Sequence, residues 1–381
     1  MTKTQQNMRV AMLGHKRIPS REGGIEIVVE ELSTRMASLG CSVTCYNRSG
    51  HHVAGAEFDK KIAKHYKGVS LRYVFTINRK GLAAMTSSII GAIQAAFGPY
   101  DVVHFHAEGP SFMCWLPKLM GKKVIVTIHG LDWQRAKWGK FASAYIMGGE
   151  KAAVKWADGI IVLSKNVKNY FLNTYKRDVV YIPNGVNKPI LETADLIFSM
   201  RGLKKDSYVL YLGRLVPEKG VKYLIEAWKQ VDSVKNLVIA GGSSDTDQYT
   251  KELEEMAQDD KRIIFMGFVQ GKILNELYSN AYVYCLPSDL EGMPLSLLEA
   301  MSYGNCCLTS DIPECLEIIE DKAVSFHKGD INDLHRKLQY LIDNPQLVQM
   351  YKSQSSDYIC SKYNWDDVVD QTLQLYQTAG Q

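Results

Sequence analysis

The 381-residue chain lacks the sequence features of several protein classes. Its eight cysteines make no C-x-x-C pair and fall mostly in apolar segments, which predicts buried, reduced, cytosolic thiols. No short-period repeat, low-complexity segment or G-x-G-x-x-G fingerprint occurs, so we do not infer NAD binding. The start has no basic and apolar leader with small residues after it, and we therefore expect no secretory signal.

A long hydrophobic run is also missing. Residues 81–98 carry no charge, but Thr86, Ser87, Ser88 and Gln94 interrupt them. The apolar residues between these recur at three- and four-residue steps, which is typical of an amphipathic helix. The sequence therefore predicts a surface helix here and no membrane span.

Charge is ordinary in amount but uneven along the chain. Charged residues make up 23% and hydrophobic residues 46%, as in soluble globular proteins. Residues 1–190 hold 27 Lys and Arg against 12 Asp and Glu, a net +15, whereas residues 191–381 hold 18 against 29, a net −11. This split suggests two domains with different partners, the basic one facing an anionic membrane, a phosphorylated acceptor or a nucleic acid. We expect no nucleic acid, because no such motif occurs and the basic residues are scattered.

Predicted strands and helices alternate along both halves. A strand at 9–13, a glycine-containing loop, a helix at 25–39 and a strand at 42–46 form a parallel β–α–β unit, which is right-handed as a rule. Further short apolar runs predict buried strands at residues 71–75, 101–105, 124–128, 159–163, 179–182, 208–212, 237–242, 262–267, 281–286, 306–309 and 323–326. The fold class is therefore α/β, with two doubly wound, Rossmann-like domains.

Candidate functional residues of the first half follow these strands. Gly23 and Gly24 precede a helix, where backbone N–H groups can approach an anion, although such a pair is also common in an ordinary turn. His104 and His106 would share one face of a strand, but without a third ligand we expect no metal site. His129 directly follows a strand and could equally be a hydrogen-bonded loop residue.

The second half carries two cations in one loop. Arg214 follows the strand at 208–212, and Lys219 lies near the start of the next helix. Two fixed cations beside a helix N-terminus suit a diphosphate, and a solvated basic loop is the alternative.

Two carboxylates lie eight residues apart in the stretch Pro-Ser-x-x-Glu-Gly-x-Pro-x-x-x-x-Glu-Ala. Glu291 is predicted in the loop after a buried strand, and Glu299 in a helix that starts around Pro294. Ligands of open α/β sheets bind at this edge, and two carboxylates can accept hydrogen bonds from one hydroxyl-rich ligand. The alternative is a solvated loop acid and an unrelated helix acid.

This stretch resembles the signature of the retaining glycosyltransferases of family 4, and the resemblance spans about residues 9–310. Other similar segments are the Gly-Gly loop, Thr127–Gly130, Pro183–Val186, Gly213–Gly220 and Gly267–Val269. One departure is Asn187, which stands where Asp is commoner. The string from Gly14 to Glu26 looks like a bacterial subgroup that includes rhamnosyltransferases of surface-polysaccharide assembly.

The resemblance implies the GT-B fold, in which two Rossmann-like domains face a central cleft. It implies a first domain at 1–187 on the acceptor side, a nucleotide-sugar domain at 188–364, and a C-terminal helix at about 365–381 that crosses back. The charge change just after the Pro183–Val186 turn independently places the boundary near 185–200.

The resemblance also implies the residue roles. Arg214 and Lys219 would stabilise the departing diphosphate, Glu291 would hold the sugar hydroxyls, and His129 would line the sugar pocket. The remaining donor-binding residues would be Glu299, which holds the ribose, together with Gly23, Gly24, Gly213, Val269, Gly292, Met293, Pro294 and Leu295. No protein nucleophile is apparent, and the resemblance implies front-face attack by the acceptor hydroxyl, assisted by the leaving phosphate.

We therefore expect a transferase that moves a sugar from a nucleotide diphosphate, with dTDP-L-rhamnose favoured, to a lipid-linked glycan without a metal or other cofactor. Alternatives are a UDP-hexose or UDP-N-acetylhexosamine transferase, an epimerase or hydrolase on the same fold, and a non-enzymatic nucleotide-sugar-binding protein. The last is disfavoured because Arg214, Lys219 and Glu291 are all present.

The location is predicted to be cytoplasmic, with peripheral docking at the anionic inner face of the membrane. The basic residues proposed for this docking could also be merely solvated, and they are Lys60, Lys61, Lys64, Lys67, Arg79 and Lys80.

Overall fold

The chain forms two α/β units. The computed structural model describes residues 7–50, 63–77, 79, 82–134, 139–242 and 247–380. The first unit runs to Gly185 and takes in the segment that begins at Trp365, and the second spans Val186–Asn364. The last helix thus belongs to the first unit, as predicted. The sequence-based boundary lies two residues further along the chain.

The sheet of the first unit is parallel apart from one edge pair. Its strands are β1 (Arg9–Leu13), β2 (Ser42–Arg48), β3 (His65–Tyr66), β4 (Val69–Val74), β5 (Val102–His106), β6 (Lys123–Ile128), β7 (Gly159–Val162) and β8 (Val180–Tyr181). They lie in the order β3-β4-β2-β1-β5-β6-β7-β8, and only β3 pairs antiparallel, with β4. The short strand β3 was not predicted. The central strands are buried because helices cover both faces of such a sheet.

The helices of the first unit include several that the sequence analysis missed. They are α1 (Gly24–Ser38), α2 (Leu82–Ala96), α3 (Glu108–Ser111), α4 (Trp115–Leu119), α5 (Lys140–Trp156), α6 (Lys165–Tyr175) and α15 (Trp365–Thr378). Helices α1 and α2 match their predictions, whereas α3, α4, α5 and α6 were not predicted. Helices α3 and α4 have only four and five residues, which is too short for a helical period to show. The apolar residues of α5 and α6 do follow a helical spacing, which the sequence analysis did not use.

The sheet of the second unit is entirely parallel. Its strands are β9 (Tyr208–Leu212), β10 (Asn236–Ala240), β11 (Ile263–Gly267), β12 (Val283–Leu286), β13 (Cys306–Ser310) and β14 (Val324–Phe326). Their order is β11-β10-β9-β12-β13-β14. Both sheets are of the doubly wound type, so the predicted fold class is confirmed.

The helices of the second unit are α7 (Leu196–Arg201), α8 (Val221–Trp228), α9 (Asp247–Ala257), α10 (Lys272–Asn280), α11 (Leu295–Ser302), α12 (Pro313–Ile319), α13 (Ile331–Asp343) and α14 (Pro345–Lys362). Trp228, Leu334 and Leu338 pack against the sheet in one apolar cluster. Among the helices described in the two units, none is both long and apolar enough to cross a membrane.

In each sheet, the side on which successive strands are added reverses at one strand, and a glycine lies in the loop after that strand. In the first unit β1 lies between β2 and β5, and in the second β9 lies between β10 and β12. Gly14 and Gly220 follow β1 and β9 with φ of +103° and +67°. A Cβ on Gly14 would lie 2.1 Å from the His106 carbonyl oxygen, and one on Gly220 would lie 1.9 Å from that of Pro287. Only glycine allows both the backbone conformation and the close approach.

Replacing Gly220 by alanine should therefore destabilise the second unit more than a positive φ alone would. We expect Gly220→Ala to lower the free energy of unfolding by about 3 kcal/mol or more, because backbone strain and a steric clash add together. The matched control is Gly202→Ala, at φ +68° and ψ +14° in the same left-handed region, with no atom within 4 Å of the added Cβ. This control should lower the free energy of unfolding by only about 1–2 kcal/mol. Urea unfolding measures both, and equal losses would show that the clash is relieved by a shift of the Pro287 loop.

Candidate functional site

The loops after β9, β10 and β11 are joined by backbone hydrogen bonds. The Gly213 N–H donates to the Ala240 carbonyl at 3.0 Å, and the Gly241 N–H donates to the Gly267 carbonyl at 2.8 Å. A Cβ on Gly241, at φ +152°, would lie 1.8 Å from the Gly213 carbonyl oxygen. The candidate residue Gly213 is therefore fixed at the carboxyl edge of the sheet, where ligands of such folds bind.

Arg214 and Lys219 lie in the loop between β9 and α8. The Tyr211 hydroxyl donates to the Arg214 carbonyl at 2.9 Å, which fixes the start of this loop. A 3₁₀ turn over Pro217–Lys219 and then Gly220 lead into α8. The Asp289 N–H donates to the Glu218 carbonyl at 2.9 Å, so the loop after β12 is bound to the loop after β9.

These two loops bring Lys219 and Glu291 into contact. The Lys219 Nζ donates to Glu291 Oε1 at 2.5 Å, and the two side chains are only 13% and 7% exposed. The Ser288 hydroxyl donates to the same oxygen at 2.7 Å, and the Ser310 hydroxyl donates to the Ser288 carbonyl at 2.5 Å. A buried ion pair loses hydration on both sides, so it is weak evidence for a stabilising role.

Glu299 lies on α11, which begins at Leu295, next to the predicted start around Pro294. Pro294 is the extended residue before the helix, and Gly292, Met293, Pro294 and Leu295 are all buried between Glu291 and the helix. The Tyr278 hydroxyl donates to Glu299 Oε2 at 3.3 Å. Glu299 therefore has a fixed neighbour on α10.

Buried tyrosines support these loops and were missed in the sequence analysis. The Tyr284 hydroxyl donates to Ser296 Oγ at 2.8 Å and lies 3.3 Å from the Leu212 carbonyl, which joins the first turn of α11 to the end of β9. Burial raises the pKa of Tyr211 and Tyr284 well above the ordinary range, so both remain neutral donors. From the sequence, tyrosines within predicted strands are assigned to the core. The partners of their hydroxyl groups lie far along the chain, so these hydrogen bonds could not be predicted.

Val269, the remaining candidate of the second unit, lies away from the contact between Lys219 and Glu291. Val269 is half-buried just beyond β11, which β10 separates from β9. The structure thus brings Lys219 and Glu291 together, places Glu299 on the following helix, and leaves Val269 two strands away on the same edge.

In the first unit, Gly23 and Gly24 form the start of α1. Gly23 is extended, and a Cβ there would lie 2.8 Å from Glu26 Oε2. Glu26 Oε1 accepts the Lys16 N–H at 2.8 Å. Burial raises the pKa of Glu26, but Lys16 and Arg48 outweigh it and hold the pKa below the ordinary value. The N-terminus of α1, where an anion was expected to approach, thus already has the Glu26 carboxylate beside it.

His129 belongs to a row of histidines at the carboxyl edge of the first sheet. Its Nε2 lies 3.0 Å from His106 Nδ1, and the His106 ring stacks on His104 at 4.2 Å between centroids. His104 bonds Tyr376 and Thr127 through its two ring nitrogens, both at 2.7 Å. Burial lowers the pKa of His104 to about 3 and that of His106 well below the ordinary value, so both rings are neutral.

In the part of the chain that the structure describes, no group of three or more His, Cys, Asp or Glu side chains could hold a metal ion. Both ring nitrogens of His104 are engaged by hydroxyl groups. The pair that the sequence spacing pointed to therefore serves packing and hydrogen bonding.

Comparison with known proteins agrees with this arrangement. The family "Glycosyl transferases group 1" matches residues 195–357, and "Glycosyltransferase Family 4" matches residues 22–188. An Escherichia coli protein, UDP-Gal:alpha-D-GlcNAc-diphosphoundecaprenol alpha-1,3-galactosyltransferase, is 30% identical over 298 residues, which cover 73% of this chain and 75% of that protein.

Two solved structures share the fold. Sucrose-phosphate synthase from Thermosynechococcus elongatus has a TM-score of 0.78 at 22% identity, covering 97% of this chain and 98% of that one. HepE of Anabaena, in complex with UDP-glucose, has a TM-score of 0.80 at 16% identity and covers 98% and 100%. Two Rossmann-like units, a cation and carboxylates at one sheet edge, and matches over both units lead to one conclusion: the chain belongs to the glycosyltransferases of group 1 and family 4.

Proposed function

We propose that the chain is a retaining, metal-independent glycosyltransferase that moves a sugar from a nucleotide diphosphate to a hydroxyl of a lipid-linked glycan. The observation that carries the proposal is the buried contact between Lys219 and Glu291. It holds a cation for the diphosphate and a carboxylate for the sugar side by side, with Glu299 on the next helix for the ribose.

Lys219 can bind the Glu291 carboxylate and the donor diphosphate at the same time. Its ammonium has three N–H donors, of which Glu291 takes one in this structure. A donor diphosphate would accept another, with Arg214 as the second cation. Their charges would stabilise the leaving group as a metal ion does in other folds. The buried segment from Gly292 to Leu295 would face the donor through its backbone.

The retaining mechanism is proposed to proceed by front-face attack. Glu291 Oε1 accepts hydrogen bonds from Lys219 and Ser288, which makes this carboxylate a poor nucleophile. Its role would be to hold sugar hydroxyls, while the leaving phosphate takes the proton of the acceptor hydroxyl. The first unit would supply the acceptor side, and His129 would line the pocket of the donor sugar.

The donor is proposed to be dTDP-L-rhamnose, on the resemblance of the loop from Gly14 to Glu26. A UDP-hexose is the second candidate, because the 30% identical relative is named for a UDP-galactose donor. The diphosphoundecaprenol in that name also favours a lipid-linked acceptor. A hydrolysis screen across nucleotide sugars distinguishes the donors, and product analysis with and without acceptor distinguishes a transferase from an epimerase or hydrolase.

Glu299→Ala should weaken donor binding. Losing a charged acceptor of ribose hydroxyl bonds costs about 1.5–3 kcal/mol, or roughly 10- to 150-fold in Kd. Calorimetry with the nucleotide sugar measures this, and the exposed helix acid Glu254→Ala is the matched control. Donor affinity that is unchanged in Glu299→Ala would remove the ribose assignment.

Arg214→Ala and Lys219→Ala should each lower kcat by about 10²-fold or more, since one charge-stabilising donor of the transition state is lost. Lys222→Ala is the control, because Lys222 pairs with Glu252 near the surface in the same part of the unit. Initial rates with saturating donor decide this, after circular dichroism has shown folding. Activity should survive EDTA, and strict dependence on Mg²⁺ or Mn²⁺ would contradict the proposed clamp.

Peripheral docking at the cytoplasmic face of the membrane is proposed for the first unit. Lys64, Lys67 and Arg79 are exposed, and so are Phe75 and Ile77 beside Arg79. Lys60, Lys61 and Lys80 lie outside the described residues. Basic residues near an anionic surface contribute about 1 kcal/mol each, within a Debye length.

Co-sedimentation with liposomes should therefore need anionic lipid and fade as salt rises. Lys64→Glu/Arg79→Glu should bind less than Lys205→Glu/Lys261→Glu, which makes the same change of net charge in the second unit. Equal recovery of wild type with neutral and anionic vesicles, or no recovery with either, would remove the docking proposal and leave the chemistry untouched.

A further inference from the structure

A buried pair of acids lies behind the His129 loop. Glu108 is the first residue of α3 and Glu150 lies within α5, and neither is exposed to solvent. Gly149 makes their approach possible, since a Cβ there would lie 1.9 Å from the Glu108 carbonyl oxygen. The two helices are thus in backbone contact where the acids meet.

The Glu150 carboxyl group is close enough to influence the pKa of Glu108. Glu150 Oε1 accepts the hydroxyls of Tyr170, at 2.9 Å, and of Tyr175. Burial and then the neighbouring Glu150 raise the pKa of Glu108, which favours its neutral form.

The neutral acid also holds the loop that follows β6. Glu108 Oε2 accepts the Asp132 N–H at 2.8 Å, in the short 3₁₀ turn Asp132–Gln134. Two residues earlier, His106 contacts His129 at 3.0 Å. Residues 106 and 108 therefore hold this loop at two points, His129 and Asp132.

The backbone between these two holding residues is strained. Ala107 has φ +76°, a conformation that non-glycine residues rarely adopt, and its N–H donates to the Thr127 carbonyl at 2.9 Å. Such strain persists only where the surroundings impose it. Here it turns the chain so that β5 ends at His106 and Glu108 enters the interior.

We propose that Glu108, buried beside α5, is a positioning residue for the loop His129–Gln134. Its Oε2 accepts the Asp132 N–H and so fixes the backbone of this loop. Glu108 thereby sets where His129 stands at the sheet edge. The proposal rests on the proposed function only for the catalytic relevance of His129.

The neutral form makes a sharp test possible, because glutamine imitates it. In Glu108→Gln the amide oxygen can accept the Asp132 N–H and the amide NH₂ can donate to Glu150. We expect this variant to keep kcat within about threefold of wild type. Glu108→Ala should lower kcat by about 10- to 100-fold, as a displaced catalytic loop does. The Kd for UDP or dTDP should be unchanged in both, because Arg214, Lys219 and Glu299 are in the second unit and neither change alters the loop of Gly23 and Gly24.

Hydrogen exchange of the full-length protein gives a readout that is independent of activity. Peptides covering 129–134 should exchange faster in Glu108→Ala than in wild type or Glu108→Gln. Glu276→Ala is the matched control, since buried Glu276 likewise accepts a backbone N–H, that of Ile197 at 3.0 Å in the second unit. It should leave exchange at 129–134 unaltered.

A double-mutant cycle separates positioning from a general loss of stability. In a His129→Ala background, Glu108→Ala should reduce kcat less than threefold further, because coupled residues are not additive. Where Glu108→Ala does not fold, Glu108→Asp replaces it, and its shorter carboxyl should lose the Asp132 contact in the same way.

The proposal is overturned if Glu108→Gln loses as much activity and loop protection as Glu108→Ala, or if Glu108→Ala or Glu108→Asp keeps both at the wild-type level. A wild type that transfers no sugar from any nucleotide donor would refute the proposed function instead. The exchange experiment would then still decide whether Glu108 holds the loop.

Discussion

The parallel pairing of β9 with β12 is the constraint on which the second unit's site depends. It places the loops after two strands side by side, although Lys219 and Glu291 are 72 residues apart. Gly220 lets the first loop lie against the Pro287 carbonyl, and the Asp289 N–H bonds the Glu218 carbonyl. Once the backbones are held this way, the ammonium and the carboxylate lie at hydrogen-bond distance. The dehydration of both charges is offset by their contact and by the Ser288 hydroxyl.

The first unit has the same arrangement at the strand where its own strand order reverses. Gly14 lies against the His106 carbonyl as Gly220 lies against that of Pro287. In both units a glycine at positive φ lets the loop after one strand lie against the end of its neighbour, and polar side chains gather there. The two units differ in chemistry, since the first gathers buried histidines whose pKa is lowered, whereas the second gathers an ion pair.

This difference follows from burial and from the available partners. His104 and His106 have no accessible surface, so desolvation favours their neutral forms. Burial and then the neighbouring Glu150 raise the pKa of Glu108, whereas Glu291 accepts hydrogen bonds from an ammonium and a hydroxyl. Preorganised groups of this kind need little rearrangement when a ligand arrives, because neighbouring side chains already fix their hydrogen bonds.

The sequence by itself determined the strand series, the division into two α/β units and the main candidates of the second unit. Short apolar runs ended by Gly or Pro predict buried strands, and residues just after them lie at the carboxyl edge whatever the packing. Sequence pattern could not show that Lys219 binds Glu291, that Tyr278 and Tyr284 brace α11, or that Glu108 meets Glu150. Those contacts join residues 12 to 72 positions apart, and Glu108 lies 42 positions from Glu150. Only the pairing order of the strands and the close backbone approach at Gly149 and Gly220 bring them together. A local pattern records what a residue prefers, whereas a contact depends on which distant segment the fold places beside it.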